Sequence, residues 1–312
     1  MTNIFIDQSM PDDARRASLY GGALFAYSPT PALKAFVKFA RELIEDAFRP
    51  HHPTTAQFQF SVEEYVAILA KLKPSFIHHP RSKALIRAAL LELGCDPNKT
   101  YFDVPRLRSA TSDNYLTTGI AYAFHPHRDT WYSAPPNQLN WWLPVYDITQ
   151  DNGLAIHTKY FDCSLKNSSR TYNYYQWNRD SRASAAQHIK TDTRIQPKPE
   201  EDVALDPQVR LVAPSGGVTI FSAAQLHSTV PNSSGVTRFS IDFRTVHIDD
   251  VNSRIGAKNL DSECTGTTLR DFLRVSDLQR VPEESARLYD EGVVSGGVLT
   301  FKPSELVSDL SE

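Results

Sequence analysis

Two histidines, one aspartate and one arginine carry the chemistry that can be read from this chain. His127-Arg128-Asp129 is followed far downstream by His227, and Arg238 stands eleven residues beyond that histidine in Arg-Phe-Ser. Two imidazoles and a carboxylate can occupy one face of an octahedral iron(II) ion and leave the other face open for a co-substrate and dioxygen. A downstream arginine offers a planar, permanently charged fork for a carboxylate on that co-substrate. Such a set points to oxidation of an unactivated C–H bond in a third molecule.

Strand geometry explains the spacing. Side chains two apart share a face, so His127 and Asp129 can both point inward while Arg128 points away. His125-Pro126-His127 has the same spacing, so a cupin-like metalloenzyme using His125, His127 and His227 is an alternative, and a non-catalytic β-barrel binding protein is another. The carboxylate favours His127 and Asp129, because an anionic ligand suits iron(II). In Arg238-Phe-Ser-Ile-Asp-Phe-Arg244, alternation places Phe239, Ile241 and Phe243 on an apolar face and Arg238, Ser240, Asp242 and Arg244 on a polar one. That polar stripe either faces water or lines a cavity holding an anion.

The elements that must position these residues fall into two textures. The first hundred residues read as mainly helical. Pro31 to Phe48 carries an apolar stripe of helical period after Ser28-Pro29-Thr30 and stops at Pro50; Ser61 with Glu64 is a capping-box pattern for a second helix expected to end before Pro74; a third, Ser82 to Leu93, is closed by Gly94. From about residue 101 short β-prone runs take over: Ile120–Phe124, Gln138–Val145, Gly153–His157, Gly217–Phe221 and Thr237–Val246, separated by turn signals such as Asp151-Asn152-Gly153. This texture predicts a mainly β fold, a double-stranded β-helix (jelly-roll, cupin-like) core flanked by helices from the N-terminal third and the C-terminal tail. The expected organisation is one domain over 1–312: a helical region at 1–100, the core at 101–250 with a long loop at 158–213, and a helical extension at 251–312. The loop reads as a lid or binding loop with a helix at Asp180–Ile189. The tail predicts helix over Leu269–Gly292 and a late strand at Val298–Phe301.

Composition narrows the class. With 41% hydrophobic and 22% charged residues the chain has an ordinary globular balance, and a net charge of -3 argues against nucleic acid or an anionic membrane as a main partner. Three isolated cysteines, Cys95, Cys163 and Cys264, suggest a reducing compartment; with no basic, apolar leader and no long apolar run, the expected location is cytoplasmic. Nothing in the composition indicates an oligomeric state.

Together His127-Arg-Asp129, Leu143-Pro-Val-Tyr-Asp-Ile-Thr-Gln-Asp-Asn-Gly153, His227 and Arg238 with Ser240 resemble the phytanoyl-CoA dioxygenase-like family of iron(II)/2-oxoglutarate oxygenases, across about residues 101 to 247. The resemblance implies that His127, Asp129 and His227 bind iron(II) and that Arg238 pairs with the distal carboxylate of 2-oxoglutarate. Thr229 stands where the family often has a hydroxyl residue, Ser240 belongs to the same pocket, and strand alternation adds Asn140 as a donor to the co-substrate. The implied activity is a dioxygenase that consumes 2-oxoglutarate and dioxygen, hydroxylates a small molecule and releases succinate and carbon dioxide. Where family members commonly continue into Pro-Gly-Ser-His, this chain reads Gly153-Leu-Ala-Ile-His157, which leaves that side of the pocket unassigned. An intact Asp129 argues for oxygen transfer, since related halogenases replace it with Gly or Ala.

For the substrate, Trp131, Tyr132, Trp141 and Trp142 are candidate pocket walls, with burial in the core the commoner role for each. Arg106, Arg108, Lys159, Arg170, Arg179, Arg182 and Arg194 are candidate receivers of a phosphate or carboxylate. The polar loop favours a small polar or anionic metabolite, of the kind made in secondary metabolism, over a long lipid thioester.

Overall fold

The computed structural model describes residues 2–290 and 296–299. Eleven strands and seven α-helices lie among them. The strands are β1 (Ile4–Ile6), β2 (Leu24–Tyr27), β3 (Thr100–Phe102), β4 (Arg106–Ala110), β5 (Leu139–Pro144), β6 (Leu154–Ile156), β7 (Val209–Arg210), β8 (Val218–Ser222), β9 (His227–Thr229), β10 (Arg238–His247) and β11 (Leu273–Arg274). The helices are α1 (Asp12–Tyr20), α2 (Pro31–Phe48), α3 (Val62–His78), α4 (Pro80–Glu92), α5 (Tyr174–Asp180), α6 (Ile248–Ser253) and α7 (Glu283–Ala286).

The longest strand, β10, organises the larger sheet. It pairs antiparallel with β5 along one edge and with β4 and β3 along the other, and the sheet runs β1-β2-β8-β5-β10-β3-β11. A second sheet, β7-β6-β9, has three strands. Alternation along β10 decides what each face does. Phe239, Ile241 and Phe243 join Trp141 and Leu143 of β5 and Val218 and Ile220 of β8 in the main core, together with Phe36, Ile44, Leu69 and Phe76 of α2 and α3. The helices therefore cover one face of the larger sheet. The other face turns Trp142 and Phe221 toward Ile156 of the smaller sheet in a separate apolar cluster.

The N-terminal helices form where capping and periodicity place them. Thr30 caps α2 through its hydroxyl, and the reciprocal Ser61–Glu64 capping box opens α3. Helix α3 does not stop before Pro74 but runs through it to His78. Proline removes one backbone bond, yet the stripe Tyr65, Val66, Leu69, Leu72 and Phe76 continues past it, and burial of Phe76 offsets that loss.

Three other segments differ from the expectation. Ile120–Phe124 is not a strand: Gly119–Ala121 is a 3-10 turn, with Gly119 at φ 58° and the Thr118 hydroxyl 2.9 Å from the His188 carbonyl. A Cβ at Gly119 would collide with the backbone of Ala185 and His188, so close approach by the long loop shapes this segment. Within that loop the helix is Tyr174–Asp180, capped by the Asn173 side chain, and only a 3-10 turn at Ala183–Gln187 follows. The tail from Leu269 holds a 3-10 turn (Thr268–Asp271), β11 and the short α7. Its apolar residues Leu269, Phe272, Val281 and Ala286 pack on Tyr101 and Val246 without the regular stripe of a long helix. Glu291 and Gly292 of that expected helix lie outside the described residues, as do Thr300 and Phe301 of the expected late strand; Val298 and Leu299 are not in a strand. No helix of the described residues is long and apolar enough to cross a membrane.

Candidate metal centre and anion pocket

His127 and His227 are brought together by backbone pairing. His127 N–H donates to the His227 carbonyl at 3.0 Å, and His227 N–H returns to the His127 carbonyl at 2.9 Å, an isolated bridge at the edge of the smaller sheet. Asp129 opens a 3-10 turn, and its N–H donates to the Ala223 carbonyl at 3.0 Å. Asp129 Oδ1 lies 3.5 Å from His127 Nε2 and 3.7 Å from His227 Nε2. One donor atom from each of the three buried residues falls within 4.8 Å of the others, the only such group of three or more His, Cys, Asp or Glu residues among the described residues.

The tautomers follow from the partners. His127 Nδ1 is 2.8 Å from the His125 carbonyl and His227 Nδ1 is 3.0 Å from the Gln225 carbonyl. A carbonyl only accepts, so each Nδ1 carries the proton and each Nε2 keeps its lone pair. Burial, helped by the nearby His127 and opposed by Asp129, pushes the His227 pKa down to about 4, so this imidazole is neutral at neutral pH. Asp129 Oδ2 is held by Gln138 Nε2 at 3.3 Å and faces Arg244 Nε at 3.5 Å. Two imidazoles that present Nε2 to the cluster and one oriented carboxylate form a donor set that fits iron(II).

His125 does not join them. Its Nε2 faces the Pro197 carbonyl at 2.7 Å and its Nδ1 faces the Tyr122 hydroxyl at 3.0 Å, so both ring nitrogens are occupied. The ligand set His125, His127 and His227 is not the one this fold assembles. Arg128 points away from the cluster, as strand alternation requires. Its buried guanidinium meets the carbonyls of Ala224, Tyr160 and Cys163, and Asp261 Oδ2 at 3.1 Å.

Arg238 is the contrasting arginine. It is 6% exposed, lies over the Trp142 ring at 5.4 Å, and makes one long contact to the Gly153 carbonyl at 3.4 Å. Its Nε is buried with no partner. Burial pushes its pKa down to about 10, with Asp242 opposing and Arg108 adding to the fall, so it remains charged at neutral pH. A buried guanidinium this poorly satisfied is a place for an anion.

A cavity of about 630 Å³ joins the two features, with His127, Asp129, His227, Arg238, Asn140 and Thr229 in its wall. Asn140 accepts from Gln138 Nε2 at 3.0 Å, which leaves its amide N–H groups to donate. Thr229 Oγ1 accepts from the Phe124 N–H at 3.2 Å. Ser240 is outside that wall; its hydroxyl is buried without a partner. Trp131 is core, with its indole N–H on Asp261, whereas Tyr132, Trp141 and Trp142 reach the cavity. His157 lies elsewhere, between Ser228 and the Leu205 carbonyl. Gln138 was missed by sequence reasoning, although it precedes Asn140 by two positions and alternation would have put it on the same face. Arg244 was visible in the polar stripe, but its approach to Asp129 was not.

No family model matches the chain, and no curated protein does. Among solved structures it is similar to EvdO2 from Micromonospora carbonacea var. aurantiaca in complex with 2-oxoglutarate, at 14% identity and TM-score 0.44, over 77% of this chain and 92% of that one. The epimerase SnoN, in complex with Fe3+, alpha ketoglutarate and nogalamycin RO, is similar at 13% identity and TM-score 0.34, over 76% and 85%. The apo form of the non-heme monooxygenase ThoJ is similar at 14% identity and TM-score 0.38, over 70% and 71%. At these values the likeness assigns no role to this chain.

Proposed function

We propose that this protein is an iron(II)/2-oxoglutarate-dependent dioxygenase of the phytanoyl-CoA dioxygenase-like kind, built on a double-stranded β-helix formed by the two sheets, that hydroxylates a small polar or anionic metabolite. The observation that carries the reading is the pairing of two incomplete sites in one cavity: three ligand atoms poised for a cation, and a buried guanidinium short of an anion. His127, Asp129 and His227 hold iron(II). When bound, iron(II) with 2-oxoglutarate and dioxygen supplies the oxidising power that hydroxylates a C–H bond, and succinate and carbon dioxide leave.

The chain's own contribution is position and dryness. Arg238 pairs with the distal carboxylate of 2-oxoglutarate, which satisfies its orphaned Nε and sets the direction of the chelating end. Asn140 donates an amide N–H toward the same molecule, and the Thr229 hydroxyl completes the polar lining, whereas Ser240, outside the cavity wall, takes no part in it. Gln138 and Arg244 fix the second oxygen of Asp129, so the first faces the two imidazoles. Trp142, Phe221 and Phe124 wall the cavity and keep water from the reacting atoms.

The test is anaerobic titration of the full chain with iron(II) and 2-oxoglutarate, following the visible charge-transfer band of the chelate. Wild type should develop the band, Asp129→Ala should lose it, and Arg238→Ala should need about 10-fold or more additional 2-oxoglutarate, the worth of a charge-assisted hydrogen bond. No band in wild type, or unchanged titrations in both variants, sinks the reading.

A further inference from the structure

The seven basic residues singled out in the sequence separate by position. Lys159, Arg170 and Arg179 are not in the cavity wall; Lys159 donates to the Asp206 carbonyl, Arg170 forks onto Glu200 and Arg179 pairs with Asp180. The other four line the cavity, and three of them are already paired. Arg106 is held by Asp103, Arg108 by Asp242 at 2.6 Å and Arg194 by Asp192 at 2.6 Å.

Arg182 is different. Its guanidinium has one neutral partner, Asn178 Oδ1 at 3.3 Å, and no carboxylate of the described residues comes within ion-pair distance. Burial and the positive charge of Arg106 depress its pKa, with Tyr174 and Asp271 opposing. It sits just beyond α5, which also presents Trp177 to the cavity, and the Trp177 indole N–H is buried with no partner. A track of rings connects this end to the metal ligands. Tyr132 lies 5.3 Å from the His127 ring, Tyr172 lies 5.4 Å from Tyr132, and Trp177 lies 6.3 Å from Tyr172.

We infer that this end of the cavity binds the primary substrate, and that the substrate is a carboxylate with a flat or ring-shaped apolar body. Its carboxylate pairs with Arg182, and its ring lies along Tyr132 and Tyr172, which directs the far end toward His127 and His227. The single positive charge of Arg182 fits one negative charge. A phosphate dianion would bury a second charge with no partner, which is costly. The assignment of this ligand as substrate rests on the oxygenase reading, but the anion site itself does not.

The binding measurement itself needs no metal. Benzoate, cinnamate and indole-3-acetate, each with its amide, and phenyl phosphate are titrated into the full chain by calorimetry. At least one acid should bind wild type about 10-fold or more tightly than its amide, as expected for charge-assisted bonds to a half-buried arginine. Arg182→Gln should abolish that preference and Arg182→Lys should keep part of it. Both should retain the wild-type titration of the iron(II)/2-oxoglutarate band, which a misfolded variant could not do. Acids and amides of equal affinity, a preference that survives in Arg182→Gln, or phenyl phosphate binding more tightly than every acid would overturn the inference. An Arg182-dependent acid preference in a protein that forms no band would uphold the anion site and sink the oxygenase reading alone.

Discussion

Arg128 and Arg238 are both buried, and they differ in how far their donors are satisfied. Arg128 meets three backbone carbonyls and Asp261, and that carboxylate also takes the Trp131 indole N–H and the Leu165 N–H. Arg238 has one long contact and an orphaned Nε. A guanidinium carries five donors, and burial without acceptors is expensive. The saturated arginine is therefore part of the scaffold, tying the segment after His127 to the loop at Tyr160–Leu165. The starved arginine carries a cost that folding alone does not recover, which is what a site awaiting a ligand looks like.

Three measurements can break or sharpen that contrast. The largest effect is expected at Arg128. Arg128→Ala strips Asp261 of its cation and should cost about 3–5 kcal/mol of stability by denaturant unfolding. A loss smaller than about 1 kcal/mol would refute the scaffold role. Next comes Arg238→Met, which replaces an underbonded charge by an apolar chain of similar reach. In the protein stripped of metal and 2-oxoglutarate, stability should stay level or rise by about 1 kcal/mol. A large loss would make Arg238 structural like Arg128.

The smallest effect is on pH dependence. Burial pushes the His125 pKa down to about 4, as it does for His227, so in the folded chain both favour the neutral form. Acidification below the ordinary histidine value of about 6.5 protonates them in the unfolded chain first. The stability they contribute is full above that value and is lost as pH falls toward 4. With metal removed by chelation, the melting temperature should drop across this window, and His125→Phe should flatten the drop. A slope unchanged in that variant would mean that His125 is not held neutral.

The sequence made part of this contrast visible. The stripe Arg238, Ser240, Asp242 and Arg244 could be read from alternation alone, and with it the choice between water and an anion-holding cavity. Burial settles that choice for Arg238, because β5 and β4 flank β10 and the smaller sheet closes over its polar side. Arg128 gave no sign of its role beyond pointing away, since its acceptors lie more than thirty residues away in sequence. The same is true of Arg182: seven basic residues looked alike until the carboxylates that pair with five of them, and the Asp206 carbonyl that takes Lys159, were placed.

What the sequence determined by itself is therefore local. Thr30, Ser61 with Glu64, and Gly94 mark helix ends through contacts within one turn, and the two-residue step from His127 to Asp129 sets which side chains share a face. Tertiary structure decided whatever depends on a distant neighbour. It carried α3 through Pro74 by burying Phe76, turned Ile120–Phe124 from strand to turn beneath the loop backbone, and took His125 out of the ligand set by giving both its nitrogens other partners. Propensity and periodicity act over a few residues, whereas charge pairing and burial are properties of the packed chain.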